Sequence, residues 1–289
     1  MNEAILDAPR GARLFGVPRS RRSRRIVLVA ACLALIAGLY ILAGVLGDSG
    51  LSTDLAARKT PPCPAHPFGT DWLGRDMFTR TILGLRASLG VGFTAAAVSA
   101  VISLILGAAA GILGGKIDAL VTGLVDMVMS MPHLVLLILV SFALGGGPRG
   151  VIIAVAVSHW PRLARIIRAE VLQLKNADYV RISRRLGRGP VFIAQRHMLP
   201  HVIPQFVIGL LLLFPHAILH AAGLTFLGFG LSPHKPSIGV LLAESMRHIS
   251  TGYWWLAVIP GLALVCLVLV FDLLGSTLRV LWDPKTRQE

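Results

Sequence analysis

The sequence predicts an all-α, polytopic membrane protein with six transmembrane helices. Three observations lead there. The chain is 55% hydrophobic and only 15% charged, with a mean hydropathy of +0.73. Six apolar runs approach or exceed the roughly 20 residues that a helix needs to cross a bilayer. The basic residues crowd the borders of those runs. A soluble fold would have to hide too many near-continuous apolar runs in one core. A net charge of +14 would suggest nucleic acid in a soluble chain. Bordering membrane spans, it follows the rule that basic loops stay inside. No basic patch interleaved with aromatics is present, and nucleic acid is not expected as a partner.

The elements follow in order. The segment 1–25 holds seven basic residues, Arg10 to Arg25, against Glu3 and Asp7. The apolar run after it is too long for a cleaved signal core and ends in no clean small-residue cleavage site, so 26–47 reads as a retained first helix. An outer segment, 48–87, carries nearly balanced charge. The second span, 88–113, is punctuated by Gly90, Gly92, Gly107 and Gly111; small residues let helices approach closely in lipid. The third, 120–144, contains Met131-Pro132 and should kink there, because proline removes one backbone bond. The fourth, 151–167, runs into the basic stretch RLARIIRAE. A loop at 170–200 follows, with Lys175, Arg181, Arg184, Arg185, Arg188 and Arg196 against Glu170 and Asp178. The fifth span is 202–222, and an outer segment, 223–253, has only Lys235, Arg247 and Glu244 as charges. The sixth is 254–274, and residues 280–289 form a tail. The last five spans make a core over 88–279.

Charge sets the orientation. Segments 1–25 and 170–200 are the basic ones and are expected in the cytoplasm, so six crossings place both termini inside. Trp254 and Trp255 suit the outer interface, and Trp282 the inner one. Cys32, Cys63 and Cys266 match neither a disulfide framework nor a zinc site. Asp118, Asp126 and Asp272 are spread over different helix ends, with no paired catalytic geometry. No GxxxxGK[ST] loop is present, so the chain is expected to bind no nucleotide and to be no enzyme.

The loop 170–200 has a pattern beyond its charge. Val171, Leu174 and Val180 are apolar among charged neighbours, as in a helix. Gly187 and Gly189-Pro190 break it, and 191–198 can form a second short helix before Pro200. Two short helices about a glycine turn make a knob that fits a groove on a soluble partner. The bland reading is that the loop satisfies topology and lipid headgroups, which explains the charge but not the punctuation.

This segment resembles the EAA loop of ABC importer permeases, in the peptide/nickel branch. That family carries a stretch like Y-V-E-A-A-R-x-x-G followed by I-x-x-x-H-x-L-P-N. Here it reads Tyr179-Val180-Arg181-Ile182-Ser183-Arg184-Arg185-Leu186-Gly187, then Ile193, His197, Leu199, Pro200 and His201. Arg181-Ile182-Ser183 stands in place of Glu-Ala-Ala, and His201 in place of Asn. HPFGTDWLGRDMFTRTILGLRASL, at 66–89, is similar to the family's G-T-D-x-x-G-R-D-x-x-S-R segment, with Gly69, Thr70, Asp71, Gly74, Arg75, Asp76, Arg80, Arg86 and Ser88 on the pattern. GGKIDALVTGLVDMVMSMPHL and GLTFLGFG add to the match, which covers essentially 26–284.

The resemblance implies a type I ABC importer permease fold in a bacterial cytoplasmic (inner) membrane. It implies an ATPase-coupling loop in which Tyr179, Arg181, Ser183, Arg184, Gly187, Ile193, His197 and Pro200 take part. The missing glutamate implies an ATPase groove complementary in some other way, such as a more acidic one. The implied partners are a homologous second permease subunit, two ATP-binding subunits that hold ATP and Mg, an extracytoplasmic substrate-binding protein and membrane lipids. This chain itself is expected to bind no cofactor. Asp71, Arg75, Asp76 and Arg80 read as an outer element that either caps the bundle or contacts the binding protein. Asp76 and Arg80 are at i,i+4 and suited to pair.

The substrate reading leans on histidine. His216 and His220 share a face of the fifth span, and neutral imidazole is a good nickel ligand. They are candidates for the translocation route; each also suits an ordinary interhelical hydrogen bond. Met127, Met129, Met131 and His133 crowd the third span, where a methionine stripe more often packs than binds. HAILHAAGLTFLGFG and the stretch around Ser158-His159-Trp160 resemble nickel permeases more than dipeptide ones. The expected cargo is nickel or a nickel chelate, with dipeptides or oligopeptides as the alternative. A non-transporting membrane scaffold or receptor is the alternative of another class.

Overall fold

The computed structural model describes residues 21–47 and 49–282, and every regular element in them is helical. The helices are α1 (Arg21–Leu46), α2 (Met77–Leu113), α3 (Gly115–Ser130), α4 (His133–Ala143), α5 (Gly147–Lys175), α6 (Asp178–Arg185), α7 (Pro190–Ile193), α8 (Leu199–Phe226), α9 (Ile238–Ser245) and α10 (Trp255–Trp282). Five of them, α1, α2, α5, the α7–α8 unit and α10, are long and apolar enough to cross a membrane. Residues 1–20 of the basic segment 1–25 and residues 283–289 of the tail 280–289 lie outside the described residues.

The region of the expected third span, α3 and α4, differs from the expectation. Met131-Pro132 does more than kink the third span: α3 and α4 meet at 98°. Met131 is extended (ψ 141°), as the residue before a proline prefers, and Pro132 is too (ψ 119°). Two consecutive non-helical residues break the span instead of bending it.

The second span starts earlier than expected. α2 begins at Met77, not near residue 88, and runs for 37 residues, about 55 Å at 1.5 Å per residue. Asp76 caps it by accepting from the Thr79 amide at 2.8 Å. No proline interrupts the helix up to Gly114. The hydropathy pattern concealed its first turns because Arg80 and Arg86 lie there, outside the apolar run.

α2 and α5 form the spine. Ser99, Ser103, Gly107 and Gly111 recur every four residues on α2 and are all buried. A Cβ on Gly107 would lie 2.6 Å from the Ala164 carbonyl oxygen of α5, and one on Gly111 would lie 2.6 Å from Val171 Cγ1. Only small residues permit this approach. The Ser103 hydroxyl donates to the Trp160 carbonyl at 2.9 Å and strengthens the crossing. α3 is tied to α5 by Arg168, bonded to both carboxylate oxygens of Asp118 at 2.5 and 2.6 Å, and by Arg165 on Asp126. The dispersed aspartates of the sequence thus include two that make interhelical ion pairs.

Candidate functional site

Three regions carry the polar chemistry. The first is the cap over the outer end. Asp71 is fully buried and accepts from the Leu73 and Arg75 amides, from Arg75 Nε at 2.7 Å and from Arg80 Nη1 at 2.5 Å. Arg80 turns its other nitrogen to Glu244 of α9 at 2.8 Å. The cap is thereby locked to α2 and α9. Asp76 does not pair with Arg80; its carboxylate caps α2 and meets His66 Nδ1 at 3.1 Å. The i,i+4 pair that forms is Asp71–Arg75. Sequence spacing missed this because Arg80 reaches back nine residues, to a carboxylate that the turn at Gly74 (φ +76°) holds in place.

The second region is the basic loop between α5 and α8. α5 extends to Lys175, so the loop proper is shorter than 170–200. Val180, Ile193 and Met198 are buried with Ile167, Val171 and Val202, anchoring the loop on the inner ends of α5 and α8. Ser183 is buried too. Opposite these anchors, Arg181, Arg184, Arg185 and Arg188 are exposed, with Ile182 and Leu186 among them. None of these arginines forms an ion pair with a described residue. Gly187 ends α6 at φ +76°: its amide bonds Arg184 O, and the Arg188 amide bonds Ser183 O. That double cap needs a left-handed residue, which explains glycine there.

The expected second short helix is the beginning of a span. α7 passes through a wide π turn at 194–198 into α8, so 191–226 is one continuous unit. Pro200 offers no N–H to the Arg196 carbonyl, and the ladder widens just before it. His197 lies in that wide turn with its ring 5.6 Å from Tyr179 and 5.9 Å from Phe192.

The third region lies at the break between α3 and α4. His133 is the first residue of α4, His159 lies midway along α5, and His220 is on α8. Their rings meet edge to face, with centroids 4.6 to 4.9 Å apart. One nitrogen of each lies within 4.8 Å of the others, and all three side chains are half-buried. His159 Nδ1–H donates to Val155 O at 3.0 Å and His220 Nδ1–H to His216 O at 2.7 Å. His216 is exposed one turn earlier, its Nδ1 on Leu212 O. Of the two translocation-route candidates read from sequence, His216 and His220, only His220 joins the group. Its partners are 61 and 87 residues away, and no local pattern joins them.

Known proteins place the chain. Residues 103–288 match the family described as binding-protein-dependent transport system inner membrane component. The chain is 34% identical over 273 residues to the dipeptide transport system permease protein DppC of Bacillus subtilis, covering 93% of this chain and 85% of that one. It is 36% identical over 270 residues to the nickel transport system permease protein NikC of Escherichia coli, covering 92% and 95%. Among solved structures, an inward-facing MetNI methionine ABC transporter chain superposes with a TM-score of 0.58 at 20% identity, over 71% of this chain and 97% of that one. The fold is that of type I ABC importer permeases. The chain belongs to the binding-protein-dependent inner membrane component family, as a multi-pass permease subunit of a peptide- or nickel-type ABC importer.

Proposed function

We propose that this chain forms half of the membrane pathway of an importer for short peptides and that its loop at 178–200 couples the pathway to partner ATPases. The observation that carries the coupling reading is the two-sided loop. Its apolar anchors grip α5 and α8, and its opposite face offers unpaired arginines around Ile182 and Leu186. Such a face suits an acidic groove with an apolar floor. Tyr179, Arg181, Arg184 and His197 sit where a partner would touch them. Ser183, Ile193 and Gly187 shape the loop instead, and Pro200 starts the span.

In this reading, ATP and Mg are bound by two partner subunits, whose closing and reopening moves α5 and α8 through the loop. A homologous permease subunit covers the exposed apolar face of α3 and α4, where Leu120, Leu134, Val135, Leu139 and Phe142 lie open. A binding protein delivers cargo at the cap. Because Asp71 and Arg80 are buried, its contact falls on the exposed rim and not on that pair.

Peptide cargo is favoured by the relatives, which include dipeptide and peptide permeases at 34 to 36% identity. A second reading, nickel or a nickel chelate, is favoured by the trio His133, His159 and His220 and by the nickel relative. The test is the ATPase activity of the complete complex in lipid, with its binding protein loaded in turn with a dipeptide, nickel and a nickel chelate. Stimulation by dipeptide alone is expected. Stimulation by the nickel forms alone replaces peptide with nickel. An assembled complex that responds to none of the three leaves the scaffold or receptor class as the better account.

A further inference from the structure

We infer that His133, His159 and His220 bind a divalent transition-metal ion at the broken span, whichever cargo the importer carries. Four observations converge. The three rings come from three helices and meet at one point, so the cluster is a product of tertiary packing and not of a local repeat. Imidazole is a preferred donor for Ni²⁺, Co²⁺ and Zn²⁺.

The hydrogen bonds fix the tautomers that a metal requires. A carbonyl oxygen only accepts, so Nδ1 of His159 and of His220 carries the proton. Each neutral ring then has its free lone pair at Nε2. A backbone acceptor behind a ligating histidine is the usual arrangement that orients the ring and raises its basicity. The Ser158 hydroxyl, 2.9 Å from His159 Nδ1, adds a second acceptor behind that ring. Among the described residues, neither nitrogen of His133 makes a hydrogen bond, so either is open to an ion.

The position fits as well. His133 opens α4 immediately after Met131-Pro132, where the span is broken. Discontinuous helices build the ion and substrate sites of other transporters, near the middle of the bilayer. Metal–nitrogen bonds of about 2.0–2.1 Å place ligating nitrogens roughly 3.3 Å apart. One ring nitrogen of each histidine lies within 4.8 Å of the others, so closing on an ion needs each ring to move by on the order of an ångström. Three imidazoles leave a fourth position for water or for a donor on the cargo.

The experiment uses the complete complex in lipid nanodiscs, equilibrated with Ni²⁺ alone and separately with Zn²⁺ alone. Retained metal is counted after desalting, and X-ray absorption reads its ligands. The expected result is one ion per copy of this chain with an imidazole signature. His133→Ala, His159→Ala and His220→Ala should each weaken binding by at least about tenfold. His234→Ala, on the outer segment, should leave it intact. Histidine-selective labelling of the unmodified complex guards against variants that fail to fold: Ni²⁺ should protect the three rings and leave His234 reactive. Loss of protection at all three, or retained metal that survives the triple variant, overturns the site. Dipeptide-stimulated ATPase activity, measured on the same nanodiscs, separates the two questions. Metal bound at the trio with stimulation by peptide only supports the site and excludes nickel as cargo. Nickel stimulation with no imidazole-bound ion upholds the nickel importer and overturns the site.

Discussion

The cap around Asp71 and the basic loop between α5 and α8 are both charged, both built around a left-handed glycine and both packed on the ends of the same bundle. They dispose their charges oppositely. In the cap, Asp71 and Arg80 are buried and satisfy one another, with Arg75 and Glu244 completing the network. In the loop, four arginines face outward with no acidic partner among the described residues. A buried and satisfied network holds a structure in one state. An open basic face gains its partners only from another molecule or from anionic lipid. The same kind of residue is therefore locked in a clamp at one end and left open at the other.

The comparison breaks most visibly at Arg80. Arg80→Ala leaves Asp71 buried with one of its two arginine partners gone, which costs about 3–5 kcal/mol. The expected outcome is a large drop in thermal stability of the purified chain and in its amount in the membrane. A loss below about 1 kcal/mol would show the cap to be loosely held. Gly187→Val comes next. A β-branched residue at φ +76° costs about 1–2 kcal/mol locally, and no neighbour lies within 4 Å of its Cβ. Chain stability should fall modestly while the turn between α6 and α7 shifts.

Arg184→Glu with Arg185→Glu sharpens the other side. Both side chains are exposed, so stability should change by less than about 0.5 kcal/mol. Affinity for the ATPase subunits should fall about tenfold, or about 1.4 kcal/mol, in a pull-down titration. Unchanged affinity would mean that the face meets lipid instead. The smallest effect is expected at Asp126→Asn. Its bond to Arg165 is made between half-exposed side chains, and such pairs contribute about 0–1 kcal/mol. Thermal unfolding should barely register it.

Much of the architecture is legible in the sequence because membrane spans are written as long apolar runs. Gly92, Gly107 and Gly111 stood out as close-approach positions, and each lies where a Cβ would meet a neighbouring helix within 2.6 Å. Gly90, which stood out equally, faces open space; composition does not tell which side of a helix is packed. The span boundaries are short because a hydropathy run stops at the first charge, whereas helices such as α2 and α5 continue through Arg80, Arg86 and Lys175. Met131-Pro132 signalled a defect but not its size, which depends on both residues adopting extended backbone. The network around Asp71 and the trio around His159 join residues up to 173 positions apart (Asp71 to Glu244). Their residue types were visible and their meeting was not, since packing alone brings them together.

The central claim is that the loop transmits work between ATP hydrolysis and the spans. It is tested most directly by measuring cargo uptake and ATP hydrolysis in the same proteoliposomes, with the complete complex carrying either the unaltered chain or Gly187→Val. The account predicts that hydrolysis persists while uptake per ATP collapses, with the chain still in the membrane and the ATPases still bound. Equal uptake per ATP in the two preparations would contradict it.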